Sequence, residues 1–104
     1  MTQGEKLNRE EAAVLAEMAG ALAHPSRIAI MCLLSKDEQA PATVKFIYSH
    51  LGQSQPVISR HLGVLRNAGL LQKYKSGKKT FYHISDHKLA QSISDFFRQS
   101  YGQL

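Results

Sequence analysis

The segment Leu51-Gly52-Gln53-Ser54-Gln55-Pro56 constrains the fold more than any other feature of the sequence. Ahead of it, Ala42 to His50 reads as a short helix with Val44, Ile47 and Leu51 inward, although its β-branched residues favour helix only weakly. Gly52 is suited to end that helix, because glycine takes the left-handed conformation at no cost. Two positions later Ser54 offers an N-cap, and Pro56 fits the first turn of a new helix, where no backbone donor is missed. The new helix runs from Ser54 to Ala68, and Gly69 stops it. Ile58, Leu62, Leu65 and Leu70 fall on its inward line, with Gln55, Pro56, Ser59, Arg60, Gly63 and Arg66 on the opposite face.

The flanking segments read as helices and a hairpin. Glu10 to Leu22 places Ala12, Leu15, Met18, Ala19 and Leu22 on one side, with Glu10, Glu11 and Glu17 on the wet side. Its early acids suit the positive end of a helix dipole. His24-Pro25 interrupts this helix and starts a second, from about Pro25 to Ser35, with Ile28, Met31, Leu34 and Cys32 inward. Lys36-Asp37-Glu38 reads as a polar turn. Past Gly69, Leu71 to Lys75 and Thr80 to Ile84 are β-rich runs around Ser76-Gly77-Lys78-Lys79, which makes a hairpin with a basic tip. His87 to Tyr101 then aligns Leu89, Ile93, Phe96, Phe97 and Tyr101 along one helical face. The expected order is α-α-α-α-β-β-α: a mainly α fold with a small β-hairpin wing, a winged helix-turn-helix, in a single domain over residues 1–104.

Charge is distributed unevenly along this frame. The 104 residues carry a net +5. Residues 1–38 hold four basic side chains against six acids, and residues 86–104 are balanced. Residues 39–85 hold Lys45, Arg60, Arg66, Lys73, Lys75, Lys78 and Lys79 and no acid at all. Such a block suits a polyanion, although a basic surface can also serve solubility alone. The single Cys32 excludes an internal disulfide framework. No signal peptide is visible, and the longest apolar stretch, Ile28 to Leu34, is far short of a membrane span, so a cytoplasmic location is expected. A domain this small has a modest core, and dimerisation would add buried apolar surface.

The motif carries its own chemistry. A duplex major groove admits one α-helix, and base edges are read near the helix N-terminus. Gln55, Ser59 and Arg60 stand there; Gln pairs with adenine and Arg with guanine through two hydrogen bonds each. Ser54 and the free amides of the first turn suit phosphate, and Pro56 offers apolar contact. Arg66 lies on the same face. Lys73, Lys75, Lys78 and Lys79 flank the wing and would grip the backbone or the adjacent minor groove. His61, beside the reading face, is either packed against the preceding helix or bonded to phosphate.

Three stretches together resemble the ArsR/SmtB family of winged-helix regulators: Ala21-Leu22-Ala23-His24-Pro25-Ser26-Arg27-Ile28, the run from Leu51 to Leu71, and the wing from Lys75 to Ile84. The resemblance covers about residues 12–101. It implies a homodimer joined through the first and last helices, for which Leu15, Met18, Leu22, Leu89, Ile93, Phe96, Phe97 and Tyr101 are the candidate contacts. It also implies double-stranded DNA with a (pseudo)palindromic operator as partner, and repression relieved by an inducer, whose identity the sequence does not give.

Many such regulators sense metals, and their ligand positions are not filled here. The third helix holds Ala42-Thr43-Val44-Lys45-Phe46-Ile47 where the thiolate type places cysteines. In the last-helix type, Asp86 matches, but Lys88, Gln99 and Gly102 stand where the other ligands should be. No cofactor is expected, with a metal at His83, Asp86 and His87 the minor alternative to plain surface polarity. Cys32 reads as a core thiol rather than a redox sensor, having no resolving partner. Phe96, Phe97 and Tyr101 read as dimer core rather than as a ligand pocket. No phosphate loop or nucleophile–base pair appears, and Ser59 and His61, two apart on a helix, do not face each other; an enzyme is not expected. A winged-helix protein adaptor and a sequence-tolerant architectural protein are the alternatives to a sequence-specific repressor.

Overall fold

Four of the five helices among the described residues start where a neighbouring side chain takes up a free amide. The structure, a computed structural model, describes residues 8–37 and 41–101; Glu38 of the expected polar turn, and Gly102, lie outside them. Helix α1 (Arg9–Leu22) opens on a capping box, with the Glu11 amide donating to Asn8 Oδ1 at 2.7 Å and the Asn8 amide to Glu11 Oε1 at 3.3 Å. Helix α2 (Pro25–Ser35) is capped by His24, whose Nδ1 accepts from the Ser26 amide at 3.1 Å. The axis bends by 106° between α1 and α2. Thr43 caps α3 (Val44–Leu51) through its Oγ1, which accepts from the Phe46 amide at 3.1 Å. Gly52 ends α3 with φ at +66°. Ser54 stands at the N-cap of α4 (Gln55–Asn67), but its side chain makes no capping bond.

The hairpin follows, then the last helix. Strands β2 (Leu71–Ser76) and β3 (Lys79–Ile84) pair antiparallel around Gly77, which has φ at +64°. A left-handed glycine at the first loop position matches the right-handed twist of the two strands. Ala42–Thr43, expected inside the third helix, instead form a short strand, β1, paired with Tyr82 and Phe81. The sheet therefore has three strands in the order β1-β3-β2. Helix α5 (Lys88–Tyr101) closes the fold, with His87 Nδ1 accepting from the Leu89 amide at 3.1 Å. Among the described residues no single helix is long and apolar enough to cross a membrane.

The core gathers Met18, Ile30, Met31, Ile47, Ile58, Leu62, Leu65 and Leu70, all at 0% exposure. Two helix faces are rotated from the expected ones. In α1, Met18 and Ala21 are buried, while Ala12 and Ala19 are exposed. In α2, Ile30 is buried in place of Ile28, and Cys32 is only half-buried. The run from Ile28 to Leu34 is apolar on every side, so periodicity alone could not choose which side faces in.

Candidate nucleic-acid interface

The roll of α4 is fixed from beneath. Ile58, Leu62 and Leu65 lock its underside into the core, so Gln55, Pro56, Ser59, Arg60 and Arg66 are held on the exposed side. The turn before it is tied down as well. The Gln53 amide donates to Tyr48 O at 3.2 Å, and Gln53 Nε2 donates to Ser26 Oγ at 3.0 Å. The helix-turn-helix is thereby clamped onto the start of α2, and α2 onto α1 through Arg27 Nε donating to Ala21 O at 2.6 Å. A helix on such a support needs no ordering of its backbone on meeting a ligand, which favours precise base contacts.

The wing stands beside the start of α4. A groove of about 360 Å³ runs between Thr43, Val44 and Lys45 at the start of α3, Gln55 on α4, and Lys79 and Thr80 at the wing. Lys45 thus joins the candidate residues, a place the sequence alone did not give it although it belongs to the acid-free block. Strand register divides the wing's cations. Lys73 lies opposite Tyr82 and Lys75 opposite Thr80 on one face, while Lys79 shares the other face with Ser76. On that second face Tyr74 stacks on Phe81, ring centres 5.5 Å apart and 18° from parallel. All four lysines are exposed, so the wing presents positive charge in two directions.

One sequence-derived contact is corrected. His61 is 7% exposed on the inner side of α4, its ring centre 4.6 Å from that of His24. The ring is packed and withdrawn from the reading face, but on His24 at the start of α2 and not on the helix preceding α4 as one alternative had it. Burial, then His24, Arg27 and Arg60, push its pKa below the ordinary imidazole value.

The candidate dimer face is also redrawn. Met18 and Phe97 belong to the protomer core at 0% and 6% exposure and present no surface. Leu15, Leu22, Leu89 and Ile93 are half-buried, whereas Phe96 and Tyr101 are exposed. The aromatic stripe of α5 divides because Phe96 and Phe97, adjacent in sequence, point about 100° apart around the helix. Ala90, Ser94 and Phe97 turn inward, leaving Leu89, Ile93 and Phe96 on a neighbouring face. An ion pair from Lys88 to Glu11 joins the starts of α5 and α1. The Lys88 ammonium and the Asn8 amide hold the Glu11 carboxyl below the usual carboxylate range.

No three His, Cys, Asp or Glu side chains gather in a metal-binding geometry among the described residues. His83, Asp86 and His87 are not brought together. His83 Nδ1 lies 2.9 Å from Ile84 O, and His87 Nδ1 is engaged in starting α5. Cys32 lines a cavity of about 460 Å³ with Ile28, Leu33, His50, Leu51 and Tyr101. Burial pushes its thiol up, away from the reactive thiolate.

Comparison with known proteins converges on one kind of molecule. A family model described as "Bacterial regulatory protein, arsR family" matches residues 24–73. The biofilm growth-associated repressor of Xylella fastidiosa is 30% identical over 83 residues, which cover 80% of this chain and 70% of the relative. The HTH-type transcriptional repressor SmtB of Mycobacterium tuberculosis is 35% identical over 79 residues, 76% of this chain and 56% of the relative. Among solved structures, HlyU from Vibrio cholerae superposes with a TM-score of 0.78 at 26% identity, covering 90% of this chain and 98% of HlyU.

Proposed function

The chain belongs to the arsR family of bacterial regulatory proteins and is a winged-helix transcriptional regulator, not an enzyme; from that premise we propose that it is a homodimeric repressor that reads a (pseudo)palindromic operator in duplex DNA. The observation that carries this reading is the exposed row Gln55, Ser59 and Arg60 on the first turns of α4, set beside a basic wing in a block of sequence that contains no acid. Gln55 and Arg60 take base edges, and Ser59 assists. Ser54, Pro56 and Arg66 contact the adjoining backbone and apolar groups, and Lys73, Lys75, Lys78 and Lys79 grip phosphate.

Two-fold symmetry supplies the second half-site. The apolar residues left open on α1 and α5, from Leu15 and Leu22 to Leu89, Ile93, Phe96 and Tyr101, meet their counterparts in a second copy. The two α4 helices then enter major grooves about one helical turn apart, roughly 34 Å. Residues 1–104 act as one domain, in the cytoplasm, where the DNA is.

The deciding experiment is binding of the purified protein to the DNA upstream of its own gene and to random duplex, over a salt series. A large preference for the upstream fragment, with affinity falling steeply as salt rises, supports a specific repressor. Equal weak binding to both points to a distant operator or an architectural protein, and no binding at low salt supports an adaptor.

A further inference from the structure

We propose that His61, acting through His24, is the positioning residue that seats the reading helix on the start of α2, and that it does so only while the His61 ring is neutral. The proposal rests on the DNA-reading assignment above and names how that site is regulated.

Three observations meet at one place. His24 Nδ1 accepts the Ser26 amide hydrogen at 3.1 Å. A nitrogen that accepts carries no proton, so Nε2 is the donor of this ring and Nδ1 is committed to the helix start. Against this ring, centres 4.6 Å apart and tilted by 51°, lies His61 on the inner side of α4. The Nδ1 of His61 is buried, with no hydrogen-bond partner among the described residues. An imidazolium at that position would bring a charge and a donor where no acceptor waits, which burial makes costly.

The surroundings give such a charge no relief. The charged and titratable groups acting on His61 are His24 at the α1–α2 junction, Arg27 on α2 and Arg60 on α4 itself, and each disfavours a second cation. Arg27 is held by its bond to Ala21 O. The same helix start also anchors the turn before α4, through Gln53 and Ser26. Protonation would therefore loosen α4 at its seat, and Arg60, the neighbour of His61 on the exposed side, would move with it.

The expected signature runs against simple electrostatics. Added positive charge strengthens attraction to phosphate, so binding to random duplex should hold or rise as pH falls. Binding that needs α4 in its seat should instead weaken. The competent fraction drops as the pH falls toward the lowered pKa of His61, and by up to about tenfold per pH unit beneath it.

The test measures affinity for the upstream fragment and for random duplex at constant ionic strength, from about pH 7.5 to about pH 5.5 across the ordinary imidazole range. It uses the wild type, His61→Phe, which keeps a ring and loses the titration, and His24→Asn, which keeps an N-capping oxygen. The expected result is a wild-type preference that falls about threefold or more toward low pH, with a flattened profile in both variants. His61→Gln replaces His61→Phe should the latter fail to fold. A parallel fall in wild type and variants, or no fall at all, overturns the proposal. If wild type shows no preference near pH 7.5, the DNA reading fails, and nuclear magnetic resonance decides the histidine pair separately. Amide signals of Ser59 to Leu65 that move as His61 protonates, and stay still in His61→Phe, support it; amides that ignore the ionisation overturn it.

Discussion

Phe96 gives the sharpest test of the dimer. The residue is 59% exposed although it stands on an apolar helix face. A phenylalanine has roughly 200 Å² to bury, so about 120 Å² is open to a partner. At ~25 cal/mol per Å² this corresponds to about 3 kcal/mol per protomer. Phe96→Ala keeps the β-carbon and removes about two-thirds of that, ~2 kcal/mol on each side. Two-fold symmetry doubles the loss to about 4 kcal/mol, a rise in the dimer Kd of roughly a thousandfold. That figure is a ceiling, reached if the partner covers the whole ring. Sedimentation equilibrium over a concentration series reads the change, and thermal melts should show a protomer fold that survives. A rise of less than about tenfold, ~1.4 kcal/mol, would refute Phe96 as an interface anchor.

Its neighbour should behave in the opposite way: Phe97→Ala, at 6% exposure, should cost about 3–5 kcal/mol of protomer stability in chemical denaturation. Arg60→Ala should weaken binding to the upstream fragment by ~1–3 kcal/mol and leave random duplex almost unchanged, whereas Lys79→Ala should weaken both alike and lower the salt slope by about one; equal effects of Arg60→Ala on the two duplexes would remove its base-reading role. Asn8→Ala should lose the capping box and about 1 kcal/mol, visible as a lower melting temperature. The folded pKa of His61 lies below its unfolded one, so its contribution to stability is complete above about pH 6.5 and drains as the pH falls toward the folded value. The melting-temperature gap between wild type and His61→Phe should therefore move in favour of the variant on acidification.

The helices were legible because their punctuation is chemical. Pro25, Gly52, Pro56 and Gly69 place helix ends within a residue or two of those observed. The inward line of α4 reads cleanly because its polar and apolar residues alternate at helical spacing. Strand β1 was hidden: two residues carry no periodicity, and Ala42 has little β preference of its own. Only its pairing with Tyr82 and Phe81, distant in sequence, makes it a strand. The reading face was legible for the same reason as α4. His61 was undecided because an imidazole suits either water or a core, and the ring that settles it, His24, comes from another helix. Met18 and Phe97 were assigned to the dimer because helices α1 and α5 are apolar on two adjacent faces, one for the protomer's own core. Sequence spacing does not say which of the two faces inward.

The Tyr74–Phe81 stack has a calorimetric consequence. Strand β2 is exposed from Gln72 to Ser76, so little core lies beneath that stretch of the wing. The two rings, with the ladder to β3, order the hairpin before any DNA is present. Binding then needs no coupled folding, and its heat-capacity change should reflect only the surface covered in the groove. A Tyr74→Ser wing would have to order on the duplex. It should bind with a more negative heat-capacity change and a larger entropic penalty, even with every lysine in place.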